Sequence, residues 1–532
     1  MTLRWFATYG SIQSDHLRNM SESRTSNQNG RDLNSPGNEI LKPLNESGVK
    51  RFHYKTILIA GMGFFTDAYD LFVIGVITAL FTFYVPFAIP GYVFSFHVGS
   101  KITGLTGLSL ISAAAIFGAV FGPMIFGRLG DLFGRKTIYG IEMVILMAGA
   151  VLSSVAWSFA SLVAFRFILG LGIGGDYPMS ATIMSEYSNV KSRGRLVGAV
   201  FAMQGFGLIT GILLAIGLLY AIPTNLGLAW RLMLFAGAIP AAAVYYFRRR
   251  MPETPRYTLH VQGKARETAN VVSDLTGVSL KASQARKADS RSEARNRGTF
   301  LTFFTSYLPL VIGTALSWFL FDVSFYGTGI ETPTLLKSLS LVAAPTLTQV
   351  QHLMVSEQYS AIIALIFTIP GYWIAVALID RAGRKTLQYS GFAVMAIAFA
   401  VLGLDPSLIG LGAPFVIIYG LTFLFGNIGP NTTTFIVPTE VFPTAFRTTG
   451  HGIAAGTGKI GATVGVILLP ALLLLWGAPG MFLFLSSVAA IGTIVTLALI
   501  PETKQATLEE TSRENLAESL LTGSPSESVP AK

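Results

Sequence analysis

Long apolar stretches recur along the whole chain, and they constrain its fold more than any other feature of the sequence. Each is close to the ~20 residues that a helix needs to cross a bilayer, so we predict twelve membrane-spanning helices. Only 12% of the 532 residues are charged, which is about half the share found in soluble domains. The sequence therefore predicts an all-α polytopic membrane protein. The predicted spans, numbered one to twelve below, are 56–85, 105–126, 138–157, 160–186, 195–220, 229–247, 300–328, 357–379, 386–404, 411–437, 448–475 and 478–500.

Basic residues are concentrated in alternate connections between the spans, and this alternation sets the predicted orientation. They occur before span one, after spans two, four and eight, and above all in the long connection after span six. The intervening connections contain almost none. We therefore expect both termini and the central connection to be cytoplasmic. The basic residues behind the net charge of +10 lie mainly in these loops. There they indicate membrane orientation, so we expect no nucleic-acid partner.

The chain repeats itself at a fixed distance. GDLFGRK at 130–136 recurs as IDRAGRK at 379–385, and PETPR at 252–256 recurs as PETK at 501–504; both pairs are 249 positions apart. Such a repeat indicates two pseudo-symmetric six-helix halves with a substrate site between them, near the membrane midplane. The predicted divisions are a disordered tail 1–50, a first half 51–247, a basic loop 248–299, a second half 300–503 and a tail 504–532.

The repeated turns at the inner ends of the spans contain the first group of candidate residues. Glycines permit a tight turn, and an aspartate there can accept hydrogen bonds from a helix N-terminus and pair with an arginine. We expect these residues to form latches that break and re-form as the halves rock, although a topological signal alone would need only the charges. The candidate gating residues are Asp131, Arg135, Glu186, Arg195, Asp380, Arg384, Glu440 and Arg447.

Acidic residues within the spans of the first half form the second group, because a carboxylate at membrane depth is costly and marks a pathway or a relay. Asp176 follows GIGG in span four, with no basic residue beside it in the sequence. Asp67 and Asp70 are three positions apart and share a helix face, where ionising both is unfavourable. Glu142 and Arg166 are candidates for a buried ion pair, in either a structural or a proton-relay role.

Polar residues in the spans of the second half form the third group. Trp318, Asp322 and Tyr326 follow one another at intervals of four residues in span seven, and such a stripe suits a wet cavity better than lipid. Asn431 lies in the segment FGNIGPN of span ten, which we expect to be kinked at its proline. Lys459 is far from both ends of span eleven, so its side chain does not easily reach an interface.

These side chains, together with Tyr177 and Gln204, supply many hydrogen-bond donors and one cation. Such a set suits a small oxyanion, whereas acids beside an anion repel it unless they are protonated. A site of this kind binds an anion and a proton together and releases them together, which is anion:proton symport. The residues leave the identity of the anion open, and Gln204 could equally serve as an interhelical hydrogen-bond donor.

The segment GGDYPMSATIMSEY at 174–187 resembles the signature of the phosphate:proton symporters of the major facilitator superfamily, a group that includes fungal and plant high-affinity phosphate transporters. FFTDAYDLF in span one, GPNTTTFIVPTEVFPTAFRTTGHG around span ten and HGIAAGTGKIGA in span eleven support the resemblance. It extends over about 56–503, except for the segment 330–356.

The resemblance implies a major facilitator fold and a secondary active transporter, not an enzyme, that imports inorganic phosphate with protons across the plasma membrane by alternating access. It implies no cofactor and no metal. It implies proton coupling through Asp67, Asp70 and Asp176, to which we add Glu142, and Lys459 as a charge partner of the substrate. The residues that it implies in contact with phosphate are Tyr177, Gln204, Trp318, Asp322, Tyr326 and Asn431.

Two other functions stay open. A proton-coupled porter of another small solute, such as a sugar or an organic ion, would share the fold, but a sugar would have no use for Lys459. A phosphate-sensing receptor would signal through the basic loop 248–299 and the tails. Attraction of that loop to an anionic membrane surface is the simpler explanation of its charge.

Overall fold

The computed structural model describes residues 36–98, 101–278, 280, 299–338 and 348–514. Within these ranges, eleven helices are long and apolar enough to cross a membrane. The last of them, Thr444–Leu499, is kinked at Gly477, where the backbone is non-helical with a φ of 69°. This helix therefore supplies both span eleven and span twelve, and the described residues agree with twelve predicted spans.

The spans keep their numbers, and their observed bounds differ from the predicted ones by only a few residues at most ends. In the first half they are Arg51–Phe81, Gly107–Phe133, Arg135–Ser154, Phe159–Tyr187, Arg193–Ala221 and Leu226–Arg248. In the second half they are Leu308–Gly329 within the helix Leu308–Ser338, then Gln349–Ala382, Arg384–Leu404, Ala413–Val441 and the two parts of Thr444–Leu499.

Within the described ranges, four spans are interrupted. Gly140, with a φ of 122°, divides span three. Span six is divided at Gly237, three residues before Pro240, which has no amide proton to donate within the helix. Spans eight and ten contain π-helical turns next to Pro370 and around Pro430, so the expected irregularity in span ten is confirmed. The segments of span three are Arg135–Ile138 and Ile141–Ser154, and those of span six are Leu226–Ala236 and Ala238–Arg248. The segments of span eight are Gln349–Ile363, Ala364–Thr368 and Ile369–Ala382. The segments of span ten are Ala413–Gly426, Asn427–Asn431 and Thr432–Val441.

Shorter elements complete the described chain. Two antiparallel strands, β1 (Phe94–Val98) and β2 (Lys101–Leu105), connect spans one and two. We call the end of the molecule that carries them the hairpin end, and the opposite end, which carries the two GRK turns, the latch end. The short helices are Pro36–Glu46, Pro255–His260, Ala265–Thr276, Phe300–Ser306, Pro406–Leu411, Thr444–Phe446 and Leu508–Thr511.

The last part of the N-terminal tail is ordered, which corrects the expected disorder of 1–50 for this stretch. Ile40 and Leu44 of the helix Pro36–Glu46 are buried against Leu259 and Val272 of the loop after span six. Their spacing of four residues forms the apolar face that an amphipathic helix buries. Residues 1–35, 281–298 and 515–532 lie outside the described residues.

The two halves meet along two pairs of spans, two with eleven and five with eight. Glycines allow the first pair to touch: a Cβ atom on Gly127 would lie 2.4 Å from the carbonyl oxygen of Thr448, and one on Gly452 would lie 2.2 Å from that of Pro123. Small residues at such contacts are the usual device by which membrane helices approach closely. Within the first half, Gly207 brings span five equally close to span one.

Candidate functional site

Lys459 of span eleven lies at the centre of a polar cluster between the two halves. Its Nζ atom is 3.1 Å from Oδ2 of Asp322 and 2.9 Å from the hydroxyl oxygen of Tyr326. It also lies 4.0 Å from the ring centre of Tyr326 and 4.6 Å from that of Tyr177, within cation–π range. The two tyrosine hydroxyls are 3.2 Å apart, and the Trp318 ring centre is 6.0 Å from that of Tyr177. We call these five residues the Lys459 cluster; all five were predicted to face the substrate.

The cluster forms because two sequence patterns meet. Trp318, Asp322 and Tyr326 fall on one face of span seven, as their spacing of four residues predicts. On span eleven, a Cβ atom on Gly458 would lie 2.5 Å from Cδ1 of Trp318. This glycine lets the two helices touch, so that Lys459 reaches across to Asp322.

Asn431 and Gln204 do not hydrogen-bond to the Lys459 cluster within the described part of the chain. Asn431 donates from Nδ2 to the hydroxyl of Tyr372 at 2.9 Å and to Oδ1 of Asn427 at 2.7 Å. Gln204 is buried, and its Nε2 atom has no partner among the described residues. The sequence analysis missed Tyr372, whose hydroxyl accepts the hydrogen bond from Asn431. Its only signal in the sequence was that it is a single tyrosine within an apolar span. The phosphate contacts of Asn431 and Gln204 stay predictions.

Asp176 has a basic partner, although none stands beside it in the sequence. Arg248 at the end of span six is fully buried and donates from Nη2 to Oδ2 of Asp176 at 2.8 Å. Its Nη1 atom lies 3.1 Å from Glu142, so the expected pairing of Glu142 with Arg166 is wrong. Two further arginines follow Arg248, so the sequence analysis assigned Arg248 to the basic loop. Its guanidinium instead packs 4.2 Å from the ring centre of Tyr139.

Gly63 of span one makes room for the ion pair between Arg248 and Asp176. A Cβ atom on Gly63 would lie 1.9 Å from Nη2 of Arg248 and 2.1 Å from Oδ2 of Asp176. Ser180 donates to the other carboxylate oxygen of Asp176 at 2.5 Å. Both oxygens are therefore hydrogen-bonded, as a buried charge requires.

Asp67 and Asp70 have no such partners. Both are buried in span one, and none of their carboxylate oxygens has a hydrogen-bond partner in the described part of the chain. Arg166 donates to the backbone carbonyl of Asp70, at 2.8 Å, rather than to its side chain. Gly237 faces the Asp70 carboxylate, since a Cβ atom there would lie 2.4 Å from Oδ1. A buried carboxylate without hydrogen bonds is costly as an anion, so these two residues are suited to carry protons.

At the latch end, Asp131 joins the first half to the start of span eleven. Its Oδ2 atom accepts from the backbone amide of Thr449 at 2.7 Å and from its hydroxyl at 2.6 Å, and a helix N-terminus favours such an anion. Arg135 lies 3.1 Å from Asp131 and 3.2 Å from Glu186. Arg447 of the second half reaches the same Glu186 at 3.0 Å. The predicted residues of this latch thus lie together.

Asp380 repeats this arrangement at the start of span five. It accepts from the backbone amides of Gly194 at 3.1 Å and Arg195 at 2.9 Å, and Arg384 lies 3.0 Å from it. Each half therefore places an aspartate at the N-terminus of a helix in the other half. The repeat in the sequence corresponds to a repeat in these contacts.

Glu440 pairs with two arginines, and neither of them is Arg195. Arg384 reaches it at 2.9 Å and Arg193 at 2.8 Å, and all three side chains are buried. The guanidinium of Arg195 instead donates to Ser192, at 3.0 Å. Two positions along a helix correspond to a rotation of about 200°, so Arg193 and Arg195 face opposite directions. The expectation that the Arg195 side chain extends the latch is therefore corrected to Arg193.

The PETPR and PETK motifs supply equivalent caps at the latch end. Glu253 accepts from the backbone amide of Lys136 at 3.2 Å, and Glu502 accepts from that of Arg384 at 3.0 Å. These amides belong to the first turns of spans three and nine, where an anion is favoured. Burial raises the pKa of the Glu253 carboxyl.

Both tails contact the latch end through Arg256. This guanidinium lies 2.9 Å from Oε1 of Glu509 in the C-terminal tail, and it donates to Asn45 of the N-terminal tail at 2.6 Å. Burial alone would raise the pKa of the Glu509 carboxyl, but the facing guanidinium, together with His260 and hydrogen bonds, brings it down to about 2. Tyr307 donates to the backbone of Ser512 at 2.7 Å. The C-terminal tail thus joins the loop after span six to the second half.

The described residues contain no group of three or more histidine, cysteine, aspartate or glutamate side chains arranged to hold a metal ion. The groups gathered at the centre are one ammonium group, phenols, an indole and carboxylic acids. They can hold an oxyanion by charge and hydrogen bonds, and they can exchange protons.

Comparisons with known proteins show the family of the chain. Residues 56–514 match the sugar (and other) transporter family. The probable inorganic phosphate transporter 1-6 of Arabidopsis thaliana is 36% identical over 516 residues, which cover 92% of this chain and 98% of that protein. The inorganic phosphate transporter 1-4 of the same plant is 37% identical, with coverage of 90% and 96%. The low affinity inorganic phosphate transporter 1 of Petunia hybrida is 36% identical, also with coverage of 90% and 96%.

Solved structures share the fold. The major facilitator superfamily proton:xylose symporter XylE, bound to 6-bromo-6-deoxy-D-glucose, aligns with a TM-score of 0.70 at 22% identity, covering 87% of this chain and 98% of its own. The human organic anion transporter MFSD10 aligns with a TM-score of 0.57 at 14% identity, covering 84% and 100%. These likenesses show a major facilitator fold.

Proposed function

The chain belongs to the sugar (and other) transporter family and, within the major facilitator superfamily, to the inorganic phosphate transporters. On this premise, we propose that it imports inorganic phosphate together with protons by alternating access. The proposed location is the plasma membrane, with both termini in the cytoplasm. The latch end is then the cytoplasmic end and the hairpin end the extracellular one.

The contact between Lys459 and Asp322 is the observation that carries this proposal. At 3.1 Å, the carboxylate neutralises the ammonium group. A proton on Asp322 removes that counterion, so an oxyanion can take its place beside Lys459. Phosphate then accepts hydrogen bonds from the phenols of Tyr177 and Tyr326 and from the indole of Trp318. Loss of the proton restores the ion pair and expels the anion, which couples the two solutes.

The carboxylates of the first half extend this coupling. Asp67 lies within electrostatic reach of both Asp176 and Lys459. A change of protonation at one carboxylate therefore alters the field at the others. We assign proton coupling to Asp67, Asp70 and Asp176, with Glu142 joined to Asp176 through the shared arginine.

The latches supply the gate that alternating access requires. The contacts of Arg447 with Glu186 and of Arg193 with Glu440 join the two halves at the latch end. When the halves rock apart, water reaches these charges and replaces the lost partners. The latches therefore set the relative stability of the closed and open cytoplasmic ends.

Phosphate uptake into proteoliposomes that contain the purified protein tests the proposal. We expect uptake to rise with an inward proton gradient and to collapse when a protonophore dissipates it. Lys459→Gln should strongly reduce uptake. Lys42→Gln is the matched control, because the Lys42 side chain is 67% exposed. Folded wild-type protein that carries a sugar or another ion, but no phosphate, would contradict the proposal.

A further inference from the structure

Glu357 of span eight is an acidic residue that neither the sequence analysis nor the proposed mechanism uses. Its side chain is buried, with only 1% of the residue exposed, and its Oε1 atom has no hydrogen-bond partner in the described part of the chain. It lies eight residues after Gln349, where the helix begins, so it is about 12 Å from the hairpin end of the span. An ionisable side chain at such a depth marks a functional site by default.

Glu357 faces a cavity of about 40 Å³ between the two halves. A water molecule needs roughly 10–15 Å³ of such space, so the cavity has room for about three. The first half contributes Phe72 and Ile212 to its lining, and the second half contributes Thr332 and Phe423. Movement of the halves therefore changes the surroundings of Glu357.

One aromatic layer separates this cavity from the Lys459 cluster. Phe72 lines the cavity and stacks on Tyr326, with ring centres 5.9 Å apart; the Tyr326 hydroxyl lies 2.9 Å from Nζ of Lys459. Phe325 packs against Phe72 at 6.1 Å and against Phe423 at 5.9 Å. The cavity thus lies on the path from the hairpin end to the Lys459 cluster.

The described lining of the cavity contains no other charged group. Spans one and five present glycine and apolar side chains, and spans seven and eight add the hydroxyls of Thr332, Ser360 and Thr368. The Thr332 hydroxyl lies 3.1 Å from the Tyr419 phenol of span ten, which is a titratable group behind the lining. A neutral acid can donate a hydrogen bond to water or hydroxyls here, whereas a carboxylate would lack a counterion.

We propose that Glu357 is a further proton-binding site, on the extracellular side of the transport path, which takes up a proton when the hairpin ends of the two halves close. This inference rests on the proposed function and adds a residue to it. While the hairpin end is open, water reaches the carboxylate and it can ionise. Closure removes that water and favours the neutral acid, so closing becomes harder as the external pH rises. The proton returns outside when the end reopens, so the number of protons carried per phosphate does not change.

The variant Glu357→Gln tests this, because an amide keeps the shape of the neutral acid and cannot ionise. At acidic external pH we expect it to take up phosphate at about the wild-type rate. As the external pH rises, its uptake should exceed that of the wild type, on the order of tenfold per pH unit at most for one proton. Glu357→Asp should restore the wild-type profile. Asp405→Asn, in the exposed loop after span nine, is the matched control and should behave as wild type.

The outcomes separate the two proposals. Absence of phosphate uptake by the folded wild-type protein contradicts the proposed function. Normal wild-type uptake with superimposable pH profiles for wild type and Glu357→Gln contradicts only the role of Glu357. An altered number of protons per phosphate in Glu357→Gln would also contradict it.

A measurement on the wild-type protein decides the matter if Glu357→Gln does not fold. Apolar carbodiimides react with neutral carboxylic acids in apolar surroundings, and mass spectrometry identifies the modified peptide. We expect modification of Glu357 at neutral pH, with a decline as the pH rises. An unmodified Glu357 peptide at neutral pH, in protein whose Asp67 peptide is modified, would overturn the inference.

Discussion

Arg248 and Asp176 form an ion pair, with 2.8 Å between Nη2 and Oδ2, although 72 positions separate them in the chain. The same guanidinium lies 3.1 Å from Glu142. One arginine at the end of span six therefore contacts a carboxylate from span three and a carboxylate from span four. Removing one partner of a buried pair typically costs about 3–5 kcal/mol. The pair thus links a proposed proton site to the packing of the first half.

Gly63→Ala should disrupt this ion pair, because the added Cβ atom would lie 1.9 Å from Nη2 of Arg248. We expect the free energy of unfolding to fall by about 1–3 kcal/mol, as for other overpacked sites, and proton-driven uptake to fall with it. Thermal unfolding of the purified protein in detergent measures the change. Gly217→Ala is the control, since nothing lies within 4 Å of its added Cβ atom. Equal melting temperatures for the two variants would contradict the prediction.

Lys459→Gln and Asp322→Asn should have opposite effects on phosphate binding. Loss of the ammonium removes a charge-assisted hydrogen bond worth about 1.5–3 kcal/mol, so the affinity should fall roughly tenfold to a hundredfold. Asp322→Asn imitates the protonated acid, so it should bind phosphate without taking up a proton and lose the stimulation by a gradient. Calorimetric titration at several pH values measures both. Wild-type affinity in Lys459→Gln would exclude it as the charge partner.

Arg193→Gln should weaken the closed latch, whereas Arg195→Gln should not. Arg193 is buried against Glu440 at 2.8 Å, and the Arg195 guanidinium contacts only Ser192 among the described residues. The chain has no cysteine, so Ser185→Cys, at a buried position beside Glu186, provides a single reporter of opening. A shift of about 1.4 kcal/mol changes the equilibrium between the closed and open latch tenfold. We expect maleimide labelling of this cysteine to be at least about tenfold faster in Arg193→Gln than in the protein with Arg193. Equal rates in the two arginine variants would refute the corrected assignment.

Glu509 should stabilise the docked C-terminal tail at neutral pH and lose that effect in acid. Burial raises its pKa, but the Arg256 guanidinium, His260 and hydrogen bonds to the carboxylate together bring the folded-state pKa down to about 2, below the ordinary value of 4.5. The contribution is therefore fully present above pH 4.5 and disappears as the pH falls towards 2. We expect Glu509→Gln to lower the melting temperature at pH 7, and the difference from wild type to shrink below pH 4.5.

Glu46→Gln is the control for this pH dependence, because its side chain is 68% exposed in a weak contact with Lys42. Exposed pairs of this kind contribute little, so its melting temperature should follow the wild type at every pH. A pH-independent difference between Glu509→Gln and wild type would show that the carboxylate charge does not hold the tail.

Much of the fold and of the site could be predicted from the sequence, because the signals act over short distances. Apolar length predicted the spans, and a proline among glycines predicted the irregular turn at Pro430. The spacing of Trp318, Asp322 and Tyr326 placed them on one face of one helix, whatever that helix packs against. The 249-residue repeat predicted the paired halves, and with them the symmetric roles of Asp131 and Asp380.

Only the tertiary structure decided which charges meet. The basic partner of Asp176 is Arg248, which stands in a row of arginines in the sequence, and the partner of Glu440 is Arg193 rather than Arg195. Pairing depends on the rotation and depth at which two helices pack, and a shift of two positions turns a side chain by about 200°. Composition and spacing within one helix do not determine how that helix is rotated relative to its neighbours. The sequence by itself thus determined that charged side chains would be buried. The packing of the helices determined which of these side chains form ion pairs and which, like Glu357, have an oxygen without a partner in the described part of the chain.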